Sequence, residues 1–143
     1  MKALKGLVIA IVLVLVASTS FAADSATLNI QANVQGTCSF AAASALLDFT
    51  NIDPTSGAPA IAATSIDYSC TNGVAYTLTL PPTATIANGV NTIGVNLAYT
   101  DNGTTTGTGL ATTIDIDGTI PFANYSASPA GLYTGTVTLD VSP

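Results

Sequence analysis

The sequence contains no histidine, arginine, glutamate or tryptophan, and its only lysines are Lys2 and Lys5. Beyond those lysines, the ionisable side chains are aspartates, tyrosines and two cysteines. Nucleic-acid binding needs cations that face phosphates, and an anionic membrane surface would repel an acidic chain. A serine or threonine nucleophile needs a neighbouring base, usually histidine or lysine. The composition therefore argues against a nucleic-acid partner, a membrane-surface partner and an enzyme, and it predicts no cofactor.

The first 22 residues have the pattern of a secretory signal peptide. Lys2 and Lys5 precede an unbroken run of apolar and small residues, 7–17, and Ser20-Phe21-Ala22 offers the small residues that a signal peptidase reads. The apolar run is too short to span a bilayer comfortably, which argues against the alternative of a transmembrane anchor. We expect export with cleavage after Ala22 or Ala23, which leaves about 120 residues, enough for one domain.

The two cysteines of the chain are Cys38 and Cys70. An even number of cysteines in an exported chain predicts a disulfide, because thiols oxidise outside the cytoplasm. The alternative is a metal site, but two thiols without any histidine are an incomplete ligand set. We therefore predict one disulfide and no metal site.

Short segments with a two-residue period recur along the chain, and turn signals separate them. They are rich in valine, isoleucine, threonine and tyrosine, which strands favour, and no helical periodicity is sustained. This pattern predicts an all-β sandwich. Turns are predicted at Asn72-Gly73, at Pro81-Pro82 and at Asp117-Gly118. The predicted strand segments are residues 47–49, 66–70, 74–80, 93–99, 110–116, 120–122 and 133–141.

Asp115 and Asp117 project from the same face of their predicted strand. One interpretation is a pair of calcium ligands or an acidic dyad. The other is a solvated strand face opposite Ile114 and Ile116. Because no glutamate follows at the spacing of a calcium loop, we favour the solvated face.

A secreted module that binds sugars or proteins is the main alternative class. Sugar sites on sandwiches usually place exposed aromatic side chains beside polar groups. The tyrosines at 68, 76 and 99 and Phe122 fall on the apolar side of their segments, so we expect them in the core. Tyr125, beside a loop, is the candidate for an exposed aromatic side chain.

Residues 25–38, SATLNIQANVQGTC, alternate almost perfectly between apolar and polar side chains. This is the period of a half-buried strand, and the segment is longer than an average strand. At the other end of the chain, the last predicted strand stops at Val141. A sandwich with a surplus first strand and an abrupt end could lack one strand, which a neighbour's first strand would supply. The parity fits equally well with pairing inside the same domain.

Five stretches after the signal resemble, in order, the motifs of the spore coat protein U family, the pilins of archaic chaperone–usher pili. They are TLNIQANVQGTC; LLDFTNIDP, similar to Leu-x-Phe-Gly-x-Tyr-x-Pro; IDYSCTNGVAYTLTL; NLAYTDNG, similar to Tyr-x-Leu-Tyr-x-Asp; and SPAGLYTGTVTLDV, similar to Ala-Gly-x-Tyr-x-Asp-x-Val-x-Val. The sequence departs from the family pattern at Thr50, at Gly135 and at a C-terminus without an aromatic residue.

The resemblance implies an incomplete immunoglobulin-like sandwich that is completed by a donor strand from a neighbouring subunit. It implies that Cys38 and Cys70 form the family's disulfide between its first two strands. The expected donor residues are Leu28, Ile30, Ala32 and Val34. The expected residues of the acceptor groove and chaperone edge are Tyr133, Val137, Leu139 and Val141.

The implied organisation is a signal peptide at residues 1–22, a donor strand at 23–36 and a pilin domain at 37–143. The implied partners are identical or related pilin subunits, a periplasmic chaperone and an outer-membrane usher. Such a subunit would pass through the periplasm into a surface fibre that supports adhesion and biofilm formation. The alternatives are a secreted monomeric binding module and a coat or matrix protein that forms no fibre.

Overall fold

The computed structural model describes residues 26–143. The chain divides into two units, Met1–Ala32 and Asn33–Pro143. The described part of the first unit, residues 26–32, is exposed and has no regular secondary structure. The predicted signal peptide, residues 1–22, lies outside the described residues. Within residues 26–143, no helix is long and apolar enough to cross a membrane.

The second unit is built almost entirely from antiparallel strands. A five-stranded sheet has the order β1-β2-β6-β5-β4, and a two-stranded sheet pairs β3 with β7. The prediction of an all-β fold is confirmed, and the two sheets are consistent with an immunoglobulin-like sandwich. In chain order, the described elements are β1 (Cys38–Phe40), β2 (Ala60–Cys70), β3 (Thr77–Thr79), β4 (Thr83–Asn88), β5 (Asn91–Asp101), β6 (Ala111–Ile120), α1 (Phe122–Tyr125) and β7 (Asp140–Ser142).

The two-residue period of β6 separates the inner and outer faces of the five-stranded sheet. Ile114 and Ile120 are fully buried on the inner face. Asp115 and Asp117 lie exposed on the outer face, where Asp115 accepts a 2.7 Å hydrogen bond from the Asn102 side-chain amide. The structure therefore places both carboxylates where the solvated-face interpretation expects them.

Two neighbouring groups of buried side chains fill the space between the sheets. One surrounds Val95 and Ile120, the other surrounds Tyr68 and Ile114, and the half-buried Leu80 packs against both. Each aliphatic side chain removed from water in this way contributes roughly 1.5–3 kcal/mol to folding. The remaining buried members are Ile93, Leu97 and Tyr125 in the first group, and Cys70 and Ile116 in the second.

The predicted disulfide is confirmed, since Cys38 of β1 is bonded to Cys70 of β2. The two residues are direct partners in the antiparallel ladder, with Cα atoms 4.1 Å apart. Closing a loop with a sequence separation of 32 residues stabilises the fold by about 3.5 kcal/mol in the chain-entropy account. The bond thus fixes a first strand that has only three residues.

The predicted turn at Asp117-Gly118 is wrong, because β6 runs through both residues to Ile120. Gly118 faces inward, and a Cβ atom there would lie 2.5 Å from Leu47 Cδ2 and 2.6 Å from Phe49 Cζ. The glycine therefore serves the close packing of two side chains over the sheet. The chain therefore continues as one strand from Ala111 to Ile120.

The strand β4 was not among the predicted segments, because Pro81-Pro82 indicated the end of one strand but not the start of another. Its inward side chains, Ala84 and Ile86, alternate with exposed threonine. A two-residue loop then leads from Asn88 to its ladder partner Asn91. Gly89 enables this loop, since its φ of 62° is a conformation that glycine adopts at little cost.

Two predictions about aromatic side chains are wrong. Tyr125 is 4% exposed, and its hydroxyl donates a 2.5 Å hydrogen bond to the Ala58 carbonyl oxygen. Tyr99 has the inward parity but is 38% exposed, and its hydroxyl donates to the Leu78 carbonyl oxygen at 3.2 Å. The two-residue alternation predicts which face of the strand a side chain lies on. It does not predict whether other parts of the chain bury that side chain.

Four predicted strands are absent or shorter than expected. Residues 47–49 form no strand, residues 74–80 retain only β3, and residues 133–141 retain only the start of β7. Residues 120–122 form no strand of their own, because Ile120 ends β6 and Phe122 begins the helix α1. The alternating pattern is present in each segment, but a strand also needs a partner for its backbone. Within these segments, single bridges pair Ala75 with Thr106 and Thr134 with Ala87.

Candidate functional site

An apolar groove crosses the inner face of the five-stranded sheet. Its larger part is a cavity of about 960 Å³, and its smaller part is a cavity of about 290 Å³. Both parts are lined by Leu47, Leu97 and Val137, so they belong to one groove. We refer to the two parts together as the groove.

The floor of the groove consists of apolar side chains that four strands project inward. Because alternate residues of a strand point to the same face, the inner parity of each strand places these side chains in rows. β2 and β6 supply Ile66 and Ile116 under the smaller part, and β4 and β5 supply Ile86, Ile93 and Val95 under the larger part.

Two irregular segments form the sides of the groove: the first wall, residues 42–52, and the second wall, residues 128–139. Apolar side chains rise to its rim, where Leu46 is 77% exposed and Leu132 is 81% exposed. Within the described residues, no backbone hydrogen bond joins one wall to the other. The gap between the two walls is therefore a place where an additional extended segment could form hydrogen bonds.

A backbone contact holds the second wall to the edge strand β4. The amide of Thr134 donates to the Ala87 carbonyl oxygen at 3.0 Å, and the Ala87 amide donates back at 2.8 Å. At Gly135, an added Cβ would lie 2.5 Å from the Thr85 carbonyl oxygen. The departure from the family pattern at Gly135 thus has a packing reason, because the wall approaches β4 too closely for a side chain.

The first wall ends in a turn that Asp53 stabilises. Its carboxylate accepts hydrogen bonds from the Thr55 hydroxyl at 2.7 Å and from the Thr55 amide at 2.8 Å. These hydrogen bonds lower the pKa of Asp53, because they favour the charged form. The turn lies between the first wall and β2.

The four predicted residues of the acceptor groove have different positions in the structure. Tyr133 and Val137 line the larger part of the groove, and Leu139 lines the smaller part together with Val137. Val141 lines neither part, because it belongs to β7, where it is paired with Leu78. Three of the four residues are therefore brought together along one side of the groove.

The four predicted donor residues lie outside any described strand. Leu28, Ile30 and Val34 are 81%, 86% and 79% exposed, and Ala32 is also exposed. Large aliphatic side chains at such exposure retain the full hydrophobic driving force for burial elsewhere.

Sequence reasoning missed the first wall as part of the site. Residues 47–49 were predicted as a strand of the sandwich, whereas the structure places Leu47 and Phe49 beside the groove. The sequence signal was present in Leu46, an aliphatic residue that breaks the alternation and is exposed at the rim.

A hydrogen-bonded cluster closes the sandwich at the end where β2 finishes. The Tyr68 hydroxyl donates to Asp101 Oδ1 at 2.7 Å, and the Tyr76 hydroxyl donates to Oδ2 at 3.2 Å. The amide of Gly103 also donates to Asp101, at 2.9 Å. Burial raises the pKa of Tyr68 strongly, and the hydrogen bonds with Tyr76 and Asp101 raise it further. This cluster joins two of the motif stretches and is separate from the groove.

The chemistry of the groove is that of an apolar binding surface. Asp48 is its only carboxylate among the described residues, and Tyr125 and Tyr133 are its other ionisable groups. Within residues 26–143, no group of three or more aspartates or cysteines is placed to hold a metal ion. The arrangement can bury a row of aliphatic side chains and pair with an extended backbone.

The protein is thus a β-sandwich with an apolar groove between two walls that no backbone hydrogen bond joins in the described chain. Residues 24–102 match the family model described as SCPU, Spore Coat Protein U domain. The match covers more than half of the chain, and the protein belongs to this family, which is that of the archaic chaperone–usher pilins. Comparisons with curated proteins and with solved structures found no significant match.

Proposed function

We propose that this protein is a structural pilin subunit that polymerises by donor-strand exchange. In this proposal, residues 23–36 of one subunit enter the groove of the next, and Leu28, Ile30, Ala32 and Val34 face its floor. The observation that carries the proposal is the groove itself, whose walls have no backbone hydrogen bonds to one another in the described chain. The role is structural and not enzymatic.

The donor segment and the groove are matched in chemical character. The segment presents aliphatic side chains at every second position, and the floor of the groove presents isoleucine and valine from the sheet. Burial contributes roughly 1.5–3 kcal/mol for each of Leu28, Ile30 and Val34. Main-chain hydrogen bonds to the two walls add to this and pair the backbone groups that face the groove.

An empty groove would expose apolar surface and free backbone groups, which favours aggregation. We therefore propose that a periplasmic chaperone covers the groove until an outer-membrane usher exchanges it for a donor strand. The second wall is the edge at which the chaperone would bind, through Tyr133, Val137 and Leu139. The assembled subunits would form a surface fibre for adhesion and biofilm formation.

The test is a gel of the sheared surface fraction of the producing cells, run in SDS with and without boiling. The test variant is Leu28→Asp/Ile30→Asp, which places charges on the side chains that would be buried. The matched control is Thr27→Asp/Asn29→Asp, which adds the same charges to the same segment but on the opposite parity.

We expect a heat-labile ladder for the wild type and for the control, and its loss in the test variant. The control places its aspartates on the side that stays in water, where they cost little free energy. The test variant places carboxylates in an apolar groove without a cation, where losing their hydration is strongly unfavourable. A single band in every sample, unchanged by boiling, would contradict polymerisation and favour a monomeric binding module. Equal ladders in both variants would remove residues 23–36 from the donor role.

A further inference from the structure

The donor segment leaves the domain at the end that carries the disulfide. Thr37 and Thr71 are held together by a 2.9 Å hydrogen bond from the Thr71 amide to the Thr37 carbonyl oxygen. Gly36 lies against the Val74 side chain, where an added Cβ would come within 2.8 Å. We call the loops 71–74 and 102–110, together with Thr37, the disulfide end.

The loop 102–110 is fastened to this end and presents an aliphatic side chain outward. The Gly109 amide donates to the Cys70 carbonyl oxygen at 3.0 Å, and the Gly107 amide donates to the Val74 carbonyl oxygen at 2.7 Å. The neighbouring Leu110 is 71% exposed.

The opposite end of the sandwich carries the loop between β4 and β5 and the beginning of the second wall. Asn88 and Gly131 are in contact there. Val90 is 95% exposed and Leu132 is 81% exposed. We call residues 88–91 and 128–132 the hairpin end. Because Leu132 also lines the groove, this end is one of its mouths.

Charge limits the surfaces through which two copies can touch. Every charged side chain among residues 26–143 is an aspartate, so no pair of opposite side-chain charges can form between copies. The loops of the disulfide end and the segments of the hairpin end contain no ionisable side chain. Contact between these two surfaces therefore avoids both charge repulsion and the desolvation of carboxylates.

The length of the connecting chain brings two ends together. Only Gln35 and Gly36 separate the last donor residue, Val34, from Thr37. The stretch from Val34 to Thr37 spans about 11 Å when fully extended. A subunit whose Val34 fills a neighbour's groove thus has its disulfide end next to a mouth of that groove. The neighbour's own donor segment departs from its disulfide end. The end that remains for the incoming subunit is therefore the hairpin end.

We propose that the disulfide end of each subunit packs on the hairpin end of the subunit that receives its donor strand, with Leu110 against Val90 and Leu132. This inference rests on the proposed polymerisation by donor-strand exchange. It adds a second contact between successive subunits, outside the groove and built from aliphatic side chains.

The test is cysteine crosslinking in sheared fibres of the full chain. The variant Leu110→Cys/Val90→Cys is treated with a short bismaleimide and then boiled in SDS. Leu110→Cys/Leu132→Cys probes the same contact independently. The matched control is Leu110→Cys/Ala63→Cys, since Ala63 is exposed on the outer face of the sheet, across from Asp117.

We expect the ladder of at least one test variant to survive boiling. The ladder of the control should collapse on boiling. If both test variants form the ordinary heat-labile ladder and collapse on boiling as the control does, the end-to-end contact is wrong and polymerisation stands. If the unboiled wild type shows no ladder, the proposed function fails and the contact fails with it.

Discussion

At the scale of single residues, Tyr68 shows how burial changes the chemistry of one group. The residue is 2% exposed, and its hydroxyl donates to Asp101. Burial and these neighbours stabilise the neutral phenol, so the pKa lies above the ordinary value of 10.0. In the unfolded chain the same phenol ionises near that ordinary value, so the two states differ in bound protons only in alkaline solution.

We therefore expect the free energy of unfolding to fall as the pH rises above about 10. Below that pH both states keep the proton, and the contribution of Tyr68 is fully present. Urea unfolding at a series of pH values between neutral and strongly alkaline measures the slope. The variant Tyr68→Phe should show a shallower fall, and an unchanged fall in that variant would contradict the role of Tyr68.

A second prediction concerns Gly107, which lies where the loops 71–74 and 102–110 touch. An added Cβ would meet the Thr71 carbonyl oxygen and would lie 2.8 Å from Cys70 Cβ. Because backbone atoms cannot move aside, we expect Gly107→Ala to lower the free energy of unfolding by about 1–3 kcal/mol. The neighbouring Thr105→Ala, at an exposed side chain, is the control in the same urea unfolding measurement. Equal stability of the two variants would refute this account of the packing.

The residue scale also shows where sequence reasoning stops. The parity of Ile114 and Asp115 placed both side chains correctly, because a two-residue period needs no knowledge of neighbours. The role of Gly118 could not be predicted, because the side chains that require it are about seventy positions earlier in the chain. Tyr125 was misplaced for the same reason, since its cover comes from the residues around Ala58.

At the scale of elements, the two walls are irregular segments that no backbone hydrogen bond joins to one another in the described chain. The second wall has the alternating pattern of a strand from Tyr133 to Val141, yet only Asp140–Ser142 pairs with β3. Thr134 is bonded to Ala87, and residues 135–139 make no backbone hydrogen bond within the described chain. In the proposed polymer, the donor strand would lie beside these residues and pair with them.

We expect amide hydrogen exchange to detect a strand inserted beside residues 135–139. In wild-type fibres, alternate amides of residues 135–139 should exchange more slowly than in the non-polymerising variant Leu28→Asp/Ile30→Asp, because they would donate to the inserted strand. The Thr134 amide, which already donates to Ala87, serves as the internal control. Similar exchange of residues 135–139 in both samples would argue against a strand beside the second wall.

The candidate site could be predicted in part at this scale. The pattern of residues 133–141 indicated one side of the groove, and the structure places Tyr133, Val137 and Leu139 there. Val141 follows the same period but is paired with Leu78, which the pattern does not reveal. The first wall was interpreted as an ordinary strand, because alternation is identical in a strand with a partner and in one without.

At the scale of the whole molecule, the dominant property is a single sign of side-chain charge. Residues 26–143 contain no lysine or arginine, so the proposed contacts between copies would depend on apolar burial and backbone pairing rather than on ion pairs. Surface ion pairs weaken in salt, but the contacts proposed here contain none.

This composition predicts the behaviour of the exported protein towards trypsin. Without lysine or arginine after residue 5, the processed chain should stay intact in trypsin even when it is unfolded in urea. Chymotrypsin, which cuts at the tyrosines and phenylalanines, should degrade the same sample and is the control. Mass spectrometry of the intact chain provides the measurement. A tryptic fragment would show that Lys2 or Lys5 is retained and that the predicted cleavage after Ala22 or Ala23 is wrong.

The aspartates on the outer face of the five-stranded sheet also govern how neighbouring fibres would meet. Asp67, Asp115 and Asp117 repeat in every subunit, so two fibres lying alongside would face one another as polyanions. In the proposed fibre, their mutual repulsion would keep filaments dispersed in dilute salt, and screening by salt would weaken it. A divalent counterion would instead gather the filaments into lateral bundles. The density of a pilus mat would then be set by the ions around the cell.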